Sequence, residues 1–324
     1  MRHPKLPQWL GAAVLFAMAA PLFALHVVAT IPVGTGITAV AVNSKTNRIY
    51  VVNTTSGSLA VIDGSSNRLL VSIPVGQQPV ALGINTITNR IYVVNETDDS
   101  ITVVDGNTNT VTSTLTDIPG VSIAVNSLTN RIFVADTEAN VVHVLSGSTN
   151  TVIANVTVTE PTGIAVNSTT NLVYGIGICT CGVFVIDGSS DQLLTPIAIP
   201  GTPTLFDGVA VDEKSNLLYV PSVLPGGMPE VSVVDAGSKS FLGAVAGVGT
   251  INGIAALPAM RQAVTTGGID PVHRTIVLSD TSKFKVLRSL RVGRGPAGVA
   301  FNSATQFTYV TNSFDGTVSV ISKN

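Results

Sequence analysis

The eight residues TNRIYVVN occur at 46–53 and again, unchanged, at 88–95. A repeated strand-like segment indicates a repeated structural unit, and the spacing of its copies sets the fold. The residue that ends the strand before each copy gives the alignment. It marks seven units, at Asn43, Asn85, Asn126, Asn167, Asp212, Pro258 and Asn302. Successive units are therefore between 41 and 46 residues long.

Each unit contains four short apolar segments separated by polar turns. In the first unit the segments are AVAVN at 39–43, IYVVN at 49–53, LAVID at 59–63 and RLLVSIPVG at 68–76. Val, Ile and Thr dominate the segments, and Asn, Gly, Asp and Ser occupy the turns, which is typical of hairpins. No segment after residue 25 has a helical pattern. The sequence therefore predicts an all-β chain.

Seven four-stranded units of this length predict a seven-bladed β-propeller with four-stranded blades. The seventh unit ends after its third strand, at 318–321, whereas VVATIPVG at 27–34 matches LLVSIPVG at 69–76. We therefore expect an N-terminal strand to complete the last blade and to close the ring. Closure of this kind leaves no large unpaired edge where the two ends of the ring join.

The second strand of the last unit reads YVTN at 309–312, and YVVN occurs at 50–53 and 92–95. With these segments the chain resembles the YVTN-family β-propeller repeat proteins over its whole length after the leader. The resemblance implies an exported or surface-located propeller. It implies no single activity, because propellers include both enzymes and binding modules. A lactonase-like branch of seven-bladed propellers is the nearest enzymatic analogy.

The first 24 residues have the pattern of a secretory leader. MRHPK is basic, and LPQWLGAAVLFAMAAPLFAL is apolar with small residues near its end. We predict a signal peptide at 1–24 and a single propeller domain at 25–324, with an uncleaved anchor as the alternative. Later apolar runs are about five residues long, far below the roughly 20 of a spanning helix. We therefore expect an exported protein that has no transmembrane span after cleavage. Its expected location is the periplasm, the cell surface or the medium into which it is secreted.

Charge and composition disfavour several functional classes. The formal net charge is −2, and loss of Arg2 and Lys5 with the leader makes the chain more acidic. An acidic balance disfavours nucleic-acid binding. The first strands contain no His, Asp, Glu or Lys, so that a metal cage inside the channel has no ligands. We predict a monomer without a cofactor. A divalent cation bound at the surface is the alternative.

Successive antiparallel strands place the turns of each blade on two faces of the disc. We name the face of the first-to-second and third-to-fourth turns the uniform face, because it repeats sequences such as NSKTNR at 43–48 and DGSSN at 63–67. These Asx and Gly turns are predicted to serve hairpin geometry. The second-to-third turns and the inter-blade links form the variable face, which differs in every blade. Binding groups usually lie on such loops, although drift at unconstrained turns is the alternative.

Candidate functional residues collect on the variable face. The binding candidates are Glu96, Asp98, Asp99, Asp136, Glu138, Asp207, Glu230, Arg294 and Asp315. Asp270, His273 and Arg274 are the candidates for catalysis, because a histidine beside an acid and a base can act as a general base or a ligand. Cys179 and Cys181 are the candidates for a local disulfide, with a metal pair or a redox dithiol as alternatives.

Two functions from different classes agree with these patterns. The first is an exported, noncatalytic scaffold that binds a protein, a glycan or another cell-envelope component through the variable face. It is favoured by the lack of catalytic motifs. The second is a lactonase-like hydrolase that uses a divalent metal on the same face.

Overall fold

The computed structural model describes residues 25–178, 182–204, 208–224, 226–258, 260–267 and 274–323. Within these ranges the chain forms 29 strands, β1 to β29, and no helix. Accordingly, no helix in these ranges is long and apolar enough to cross a membrane.

The strands follow one another in the order of the blades. Before blade 1 comes β1 (His26–Pro32). Blades 1 to 3 contain β2 (Ile37–Asn43), β3 (Arg48–Asn53), β4 (Ser58–Asp63), β5 (Arg68–Pro74), β6 (Pro79–Asn85), β7 (Arg90–Asn95), β8 (Ser100–Asp105), β9 (Thr110–Leu115), β10 (Ser122–Asn126), β11 (Arg131–Asp136), β12 (Val141–Ser146) and β13 (Thr151–Thr157). Blades 4 and 5 contain β14 (Pro161–Asn167), β15 (Leu172–Gly177), β16 (Gly182–Asp187), β17 (Gln192–Ala198), β18 (Thr202–Pro203), β19 (Ala210–Asp212), β20 (Leu217–Val223), β21 (Pro229–Asp235) and β22 (Ser240–Ala246). Blades 6 and 7 contain β23 (Gly253–Leu257), β24 (Gln262–Thr266), β25 (Thr275–Asp280), β26 (Lys285–Arg291), β27 (Pro296–Asn302), β28 (Phe307–Asn312) and β29 (Thr317–Ser322).

These strands form seven antiparallel sheets, the blades of a seven-bladed β-propeller. Six sheets have four strands each. In blade 5 the first strand is present as two pieces, β18 and β19, which both pair with β20. Residues 205–207, between the two pieces, lie outside the described residues. The prediction of an all-β chain with seven four-stranded blades is confirmed.

The hydrophobic core lies between neighbouring blades. The first strands contact one another around the ring, and the outer strands follow toward the rim. One core cluster joins Tyr50 and Val52 of blade 1 to Ile91 and Val93 of blade 2, and all four are fully buried. A second strand covered on both faces needs apolar residues at every position, not at alternate ones. This burial explains the unbroken apolar run in IYVV.

A ladder of asparagine side chains joins blades on the uniform face. Asn43 Nδ2 donates to Asn89 Oδ1 of the next blade at 2.7 Å, while Asn43 Oδ1 accepts from Lys45 N in its own turn. The same inter-blade bond joins Asn85 to Asn130, Asn126 to Asn171, Asn167 to Asn216 and Asn302 to Asn47. The accepting residues all have left-handed backbone, with φ between 51° and 55°. The sequence predicted only a turn role for these residues, and the structure adds an inter-blade one.

Two consecutive junctions lack this bond. Asp212 and Pro258 stand at the donor positions of blades 5 and 6, and Arg261 and Gln306 stand at the corresponding left-handed positions of the blades that follow. Asp212 Oδ1 still accepts from the turn, at 3.1 Å from Lys214 N. The ladder is therefore continuous from blade 7 through blade 1 to blade 5 and interrupted between blades 5 and 7.

The first described strand belongs to the last blade. Strand β1 pairs antiparallel with β29, from His26 opposite Ser322 to Pro32 opposite Thr317. Ile31 is buried in a cluster with Ile37 of blade 1 and Tyr309 of blade 7. The sheet thus contains strands from both ends of the described chain, and its outer edge is β1.

Six of the outer strands carry a β-bulge near their start. In β5 the extra residue is Leu70, which lies between the paired residues Leu69 and Val71. The extra residues at the same place in the other five strands are Val28, Thr112, Ile153, Leu242 and Leu287. Bulges bend an edge strand and interrupt its ladder, which hinders pairing with the edge of another molecule.

The third-to-fourth turns contain carboxylates that couple folding to pH. Asp63 Oδ1 accepts from Ser65 N at 3.0 Å and from Ser65 Oγ at 2.7 Å. Asp187 and Asp280 accept equivalent bonds from the serine two residues later. These hydrogen bonds lower the pKa of each of the three carboxyl groups below its ordinary value. Each group therefore stabilises the fold above the unfolded-state pKa of about 3.9 and loses that contribution as the pH falls through the folded-state pKa.

We expect the free energy of unfolding to decrease as the pH is lowered below about 4. A variant with Asp63→Asn, Asp187→Asn and Asp280→Asn should show a shallower decrease, because the amide keeps an acceptor oxygen but does not titrate. Urea unfolding at pH 7 and pH 3 measures both slopes. The control is Asp99→Asn, an exposed position outside these turns. Equal acid dependence in the triple variant and the wild type would contradict the assignment.

Candidate binding face

The turns between second and third strands position the candidate residues. In blades 1, 2, 3 and 7 the last turn residue has left-handed backbone, with φ of 59° at Gly57, 45° at Asp99, 58° at Asn140 and 61° at Gly316. Asp and Asn tolerate this region better than most residues other than glycine. In blades 2 and 7 this geometry places the preceding residue of the turn beside the link that enters the blade.

Asp98 and Asp315 occupy that preceding position and accept the same kind of hydrogen bond. Asp98 Oδ2 accepts from Gln77 N at 2.6 Å, and Asp315 Oδ2 accepts from Arg294 N at 2.7 Å. Arg294 Nε also lies 2.5 Å from Asp315 Oδ1. The backbone N–H and then the side chain of Arg294 lower the pKa of Asp315. The structure thus brings Arg294 and Asp315 together, and both aspartates hold a link against a turn.

Asp136 lies inside blade 3, and only 3% of its surface is exposed. Its Oδ2 is 3.3 Å from His143 Nε2, and His143 Nδ1 is 2.8 Å from Asn155 Oδ1. In blades 2 and 7 the equivalent residues are Asn95 and Asn312, whose amides donate to hydroxyl groups of the third strand. Asp136 therefore belongs to a polar cluster inside blade 3 that corresponds to the clusters of Asn95 and Asn312 in blades 2 and 7.

Glu230 takes part in the corresponding cluster of blade 5. It is 2% exposed, and its Oε1 accepts from Ser222 Oγ at 3.3 Å and from Ser232 Oγ at 3.4 Å. By contrast, Asp98, Asp99 and Glu138 are exposed. The binding candidates thus separate into buried groups that hold a blade and exposed groups that face solvent.

Five predicted residues lie outside the described residues: Asp207, Asp270, His273, Cys179 and Cys181. The proposed disulfide and the catalytic hypothesis stay predictions. Arg274 is described and half-buried, and its carbonyl accepts from Val292 N at 2.6 Å. In the part of the chain that the structure describes, no group of three or more His, Cys, Asp or Glu residues is arranged to hold a metal ion.

The two faces carry different balances of charge. The described carboxylates of the variable face are Glu96, Asp98, Asp99, Asp117, Asp136, Glu138, Glu160, Glu230 and Asp315, nine in all, and its basic residues are Arg274, Arg291 and Arg294. The uniform face has Lys45, Arg48, Arg68, Arg90, Arg131, Lys214, Lys239, Arg261, Lys283, Lys285 and Lys323 against Asp63, Asp105, Asp187, Asp191, Asp212, Glu213, Asp235 and Asp280. Asp136 and Glu230 are buried, but the other seven carboxylates still outnumber the three arginines. The variable face is therefore acidic, and its field attracts cationic groups.

Two acidic residues of this face were missed from the sequence. Asp117 and Glu160 lie in the links that leave blades 2 and 3, both with left-handed backbone. Glu160 N donates to Asn140 Oδ1 of the neighbouring turn at 2.9 Å. The signal was present in LTDIPG at 115–120 and VTEP at 158–161, where a carboxylate precedes a proline in a link.

A pocket recurs at three blade junctions on the rim. Each pocket lies between the link that leaves one blade and the two outer strands of the next. The cavity volumes are about 270 Å³ at junction 1–2, about 420 Å³ at junction 3–4 and about 520 Å³ at junction 6–7. Strand register aligns the linings, so that Asp98 corresponds to Asp315, Thr102 to Ser319 and Thr114 to Thr30. The place of the pocket is therefore determined by the blade architecture, whereas the lining side chains determine which ligands the pocket can bind.

Comparisons with known proteins give the fold only. Neither a protein-family model nor a curated protein matches the chain. Among solved structures 1510 chains match, so that the architecture is a common one. One of them is described as Kuenenia stuttgartiensis Hydrazine Synthase, with a TM-score of 0.75 and 14% sequence identity over 88% of this chain and 95% of that chain. At this identity the likeness extends to the β-propeller and no further.

Proposed function

We propose that the chain is an exported, noncatalytic β-propeller scaffold that binds a cationic protein of the cell envelope through its acidic variable face. The observation that carries the proposal is the segregation of charge between the two faces. Seven of the nine described carboxylates of the variable face are exposed or partly exposed, against three arginines, whereas basic residues outnumber acidic ones on the uniform face. Complementary charge steers a partner and fixes its orientation more than it adds affinity.

The acidic surface is concentrated on blades 2 and 3. Glu96, Asp99, Asp117 and Glu138 are exposed there, and the variable-face residues of these two blades include no lysine or arginine. Asp98 Oδ2 accepts from Gln77 N and Glu96 Oε2 accepts from Gln78 Nε2, but both side chains are exposed. A lysine-rich or arginine-rich surface is the matching chemistry.

The noncatalytic part of the proposal is supported by what the described candidates already do. Asp315 holds Arg294, Asp136 lies against His143, and Glu230 accepts from two serines. Each of these groups is engaged in a turn, a link or a blade interior. Export is supported by the leader-like pattern of residues 1–24 and by the YVTN segment at 309–312.

The test uses the chain from Leu25 onward and a dodecalysine peptide as the probe in isothermal titration calorimetry. We expect binding at low salt that weakens steeply between 20 and 200 mM NaCl, because the Debye length shrinks to about 10 Å near 0.1 M. A variant with Glu96→Gln, Asp99→Asn and Glu138→Gln should bind at least about tenfold more weakly. The envelope proteins that the wild type retains and this variant loses then identify the partner.

The matched control neutralises three carboxylates of the uniform face, with Asp105→Asn, Glu213→Gln and Asp235→Asn. This control has the same net charge as the test variant and should bind the peptide nearly as well as the wild type. Equal weakening in both variants would show that net charge alone decides binding, and the proposed face would be wrong. Retention of glycans but no proteins would overturn the choice of a protein partner.

A further inference from the structure

The pocket at junction 3–4 differs chemically from the two that correspond to it. The pockets at junctions 1–2 and 6–7 each contain a carboxylate, from Asp98 or Asp315, and at least three hydroxyl groups of Ser and Thr. At junction 3–4 the lining is Val158, Thr159, Gly182, Phe184, Leu193, Leu194, Pro196, Ile197 and Ala198. Only Thr159 among these has a polar side chain.

The difference comes from coordinated replacements within blade 4. By strand register Gly182 stands where blade 2 has Ser100, Phe184 where it has Thr102, and Pro196 where it has Thr114. Gly177 stands at the position of Asn95, the amide that binds those hydroxyls in blade 2. Blade 4 thus has glycine, phenylalanine and proline at the positions where blade 2 has its polar cluster.

A glycine on the neighbouring strand leaves room for the Phe184 ring in this blade. Phe184 lies opposite Gly175, and a Cβ at Gly175 would clash with the Phe184 ring. In blade 2 the residue at that position is Val93, opposite Thr102. The glycine thus admits an aromatic ring at the pocket floor, where Phe184 is 4% exposed, while Leu193 at the mouth is 47% exposed.

We infer that the junction 3–4 pocket is a binding site for an uncharged, apolar small molecule. The volume of about 420 Å³ lies within the range of roughly 300–1,000 Å³ that is usual for ligand pockets. Apolar walls around a concave surface are stabilised when a ligand displaces water from them. A charged ligand finds no counter-charge among the lining residues, in contrast to the two corresponding pockets. This site lies on the rim and is independent of the protein partner proposed for the variable face.

The test is a fluorescence titration of the chain from Leu25 onward with N-phenyl-1-naphthylamine, a neutral apolar probe. We expect saturable binding at one site per chain. Leu193→Asp should weaken that binding at least tenfold, because it places a carboxylate at the mouth of the pocket. Ala198→Trp, which fills the pocket from an exposed position, should weaken it to a similar extent.

The matched control is Val111→Asp, the same register position in blade 2, where the side chain is 42% exposed. This variant should bind the probe within twofold of the wild type. Thermal melts show whether each variant is folded. If Leu193→Asp does not fold because of its added charge, Ala198→Trp, which adds no charge, still tests the pocket. Absence of saturable binding in the wild type would overturn the inference. So would unchanged binding in both pocket variants, or equal loss in Val111→Asp.

Discussion

A chain that begins at Gly34, and so lacks β1, should fail to fold into a stable propeller. Without β1 the strand β29 loses its ladder from Thr317 to Ser322, and blade 7 has an exposed edge. The buried side chain of Ile31 leaves its core cluster, and such a side chain contributes about 1.5–3 kcal/mol. Together with the lost ladder, this loss is comparable with the 5–15 kcal/mol by which a whole domain is stable. We expect aggregation or a noncooperative melt in circular dichroism.

The control for this truncation is a chain that begins at Leu25 and keeps β1. That chain should be soluble and should melt cooperatively. A second control replaces only Ile31 by Ala, which should lower the free energy of unfolding by about 2–5 kcal/mol without abolishing folding. A chain from Gly34 that melts within a few degrees of the chain from Leu25 would show that β1 is dispensable.

The second large effect is expected at the asparagine ladder. Asn302→Ala should lower the free energy of unfolding by about 2–3 kcal/mol. The fully buried Asn302 donates to Asn47 Oδ1 across the closing junction at 2.8 Å, and its Oδ1 accepts from Ala304 N at 3.0 Å and from Thr305 N at 3.4 Å in its own turn. The substitution removes these three bonds and leaves Asn47 Oδ1 without this donor. Urea denaturation measures the change.

Asp212→Ala is the matched control for the ladder, because Asp212 occupies the same position in blade 5 and is equally buried. Its Oδ1 accepts from Lys214 N and Ser215 N in its turn, as that of Asn302 accepts from two backbone N–H groups, but it makes no ladder bond. Its Oδ2 has no hydrogen-bond partner among the described residues. Its loss should therefore cost about 1 kcal/mol or less. Similar losses in the two variants would mean that the turn bonds, and not the inter-blade bond, account for the effect of Asn302→Ala.

The architecture was predictable because each blade repeats the same local sequence pattern of turns and apolar strands. TNRIYVVN contains both the turn that starts a hairpin and the apolar run of a doubly covered strand, and its period counts the blades. The match between VVATIPVG and LLVSIPVG indicates an outer strand, and β1 pairs with β29 in the structure. Local patterning and repetition were sufficient for these features.

The inter-blade contacts were not predictable from one unit. Asn43 and Asn89 are 46 residues apart, and their bond depends on the side-by-side placement of two blades. Asp136 and Glu230 are charged residues beside turns, and the sequence therefore predicted them to be exposed. In the structure both are buried, because they lie at the ends of strands with their side chains inside the blade. The pocket at junction 3–4 arises from residues that are separate in the sequence and meet only through strand register.

The division of charge between the faces also decides where the molecule can be chemically attached. All six lysines after residue 24, Lys45, Lys214, Lys239, Lys283, Lys285 and Lys323, are on the uniform face. The outer strand β1 also begins at that face, where His26 lies opposite Ser322, so the amino group of a chain cut at Leu25 is there as well. An amine-reactive bead or sensor chip would therefore hold every disc in the same orientation. The acidic face would then be directed outward without any engineered tag.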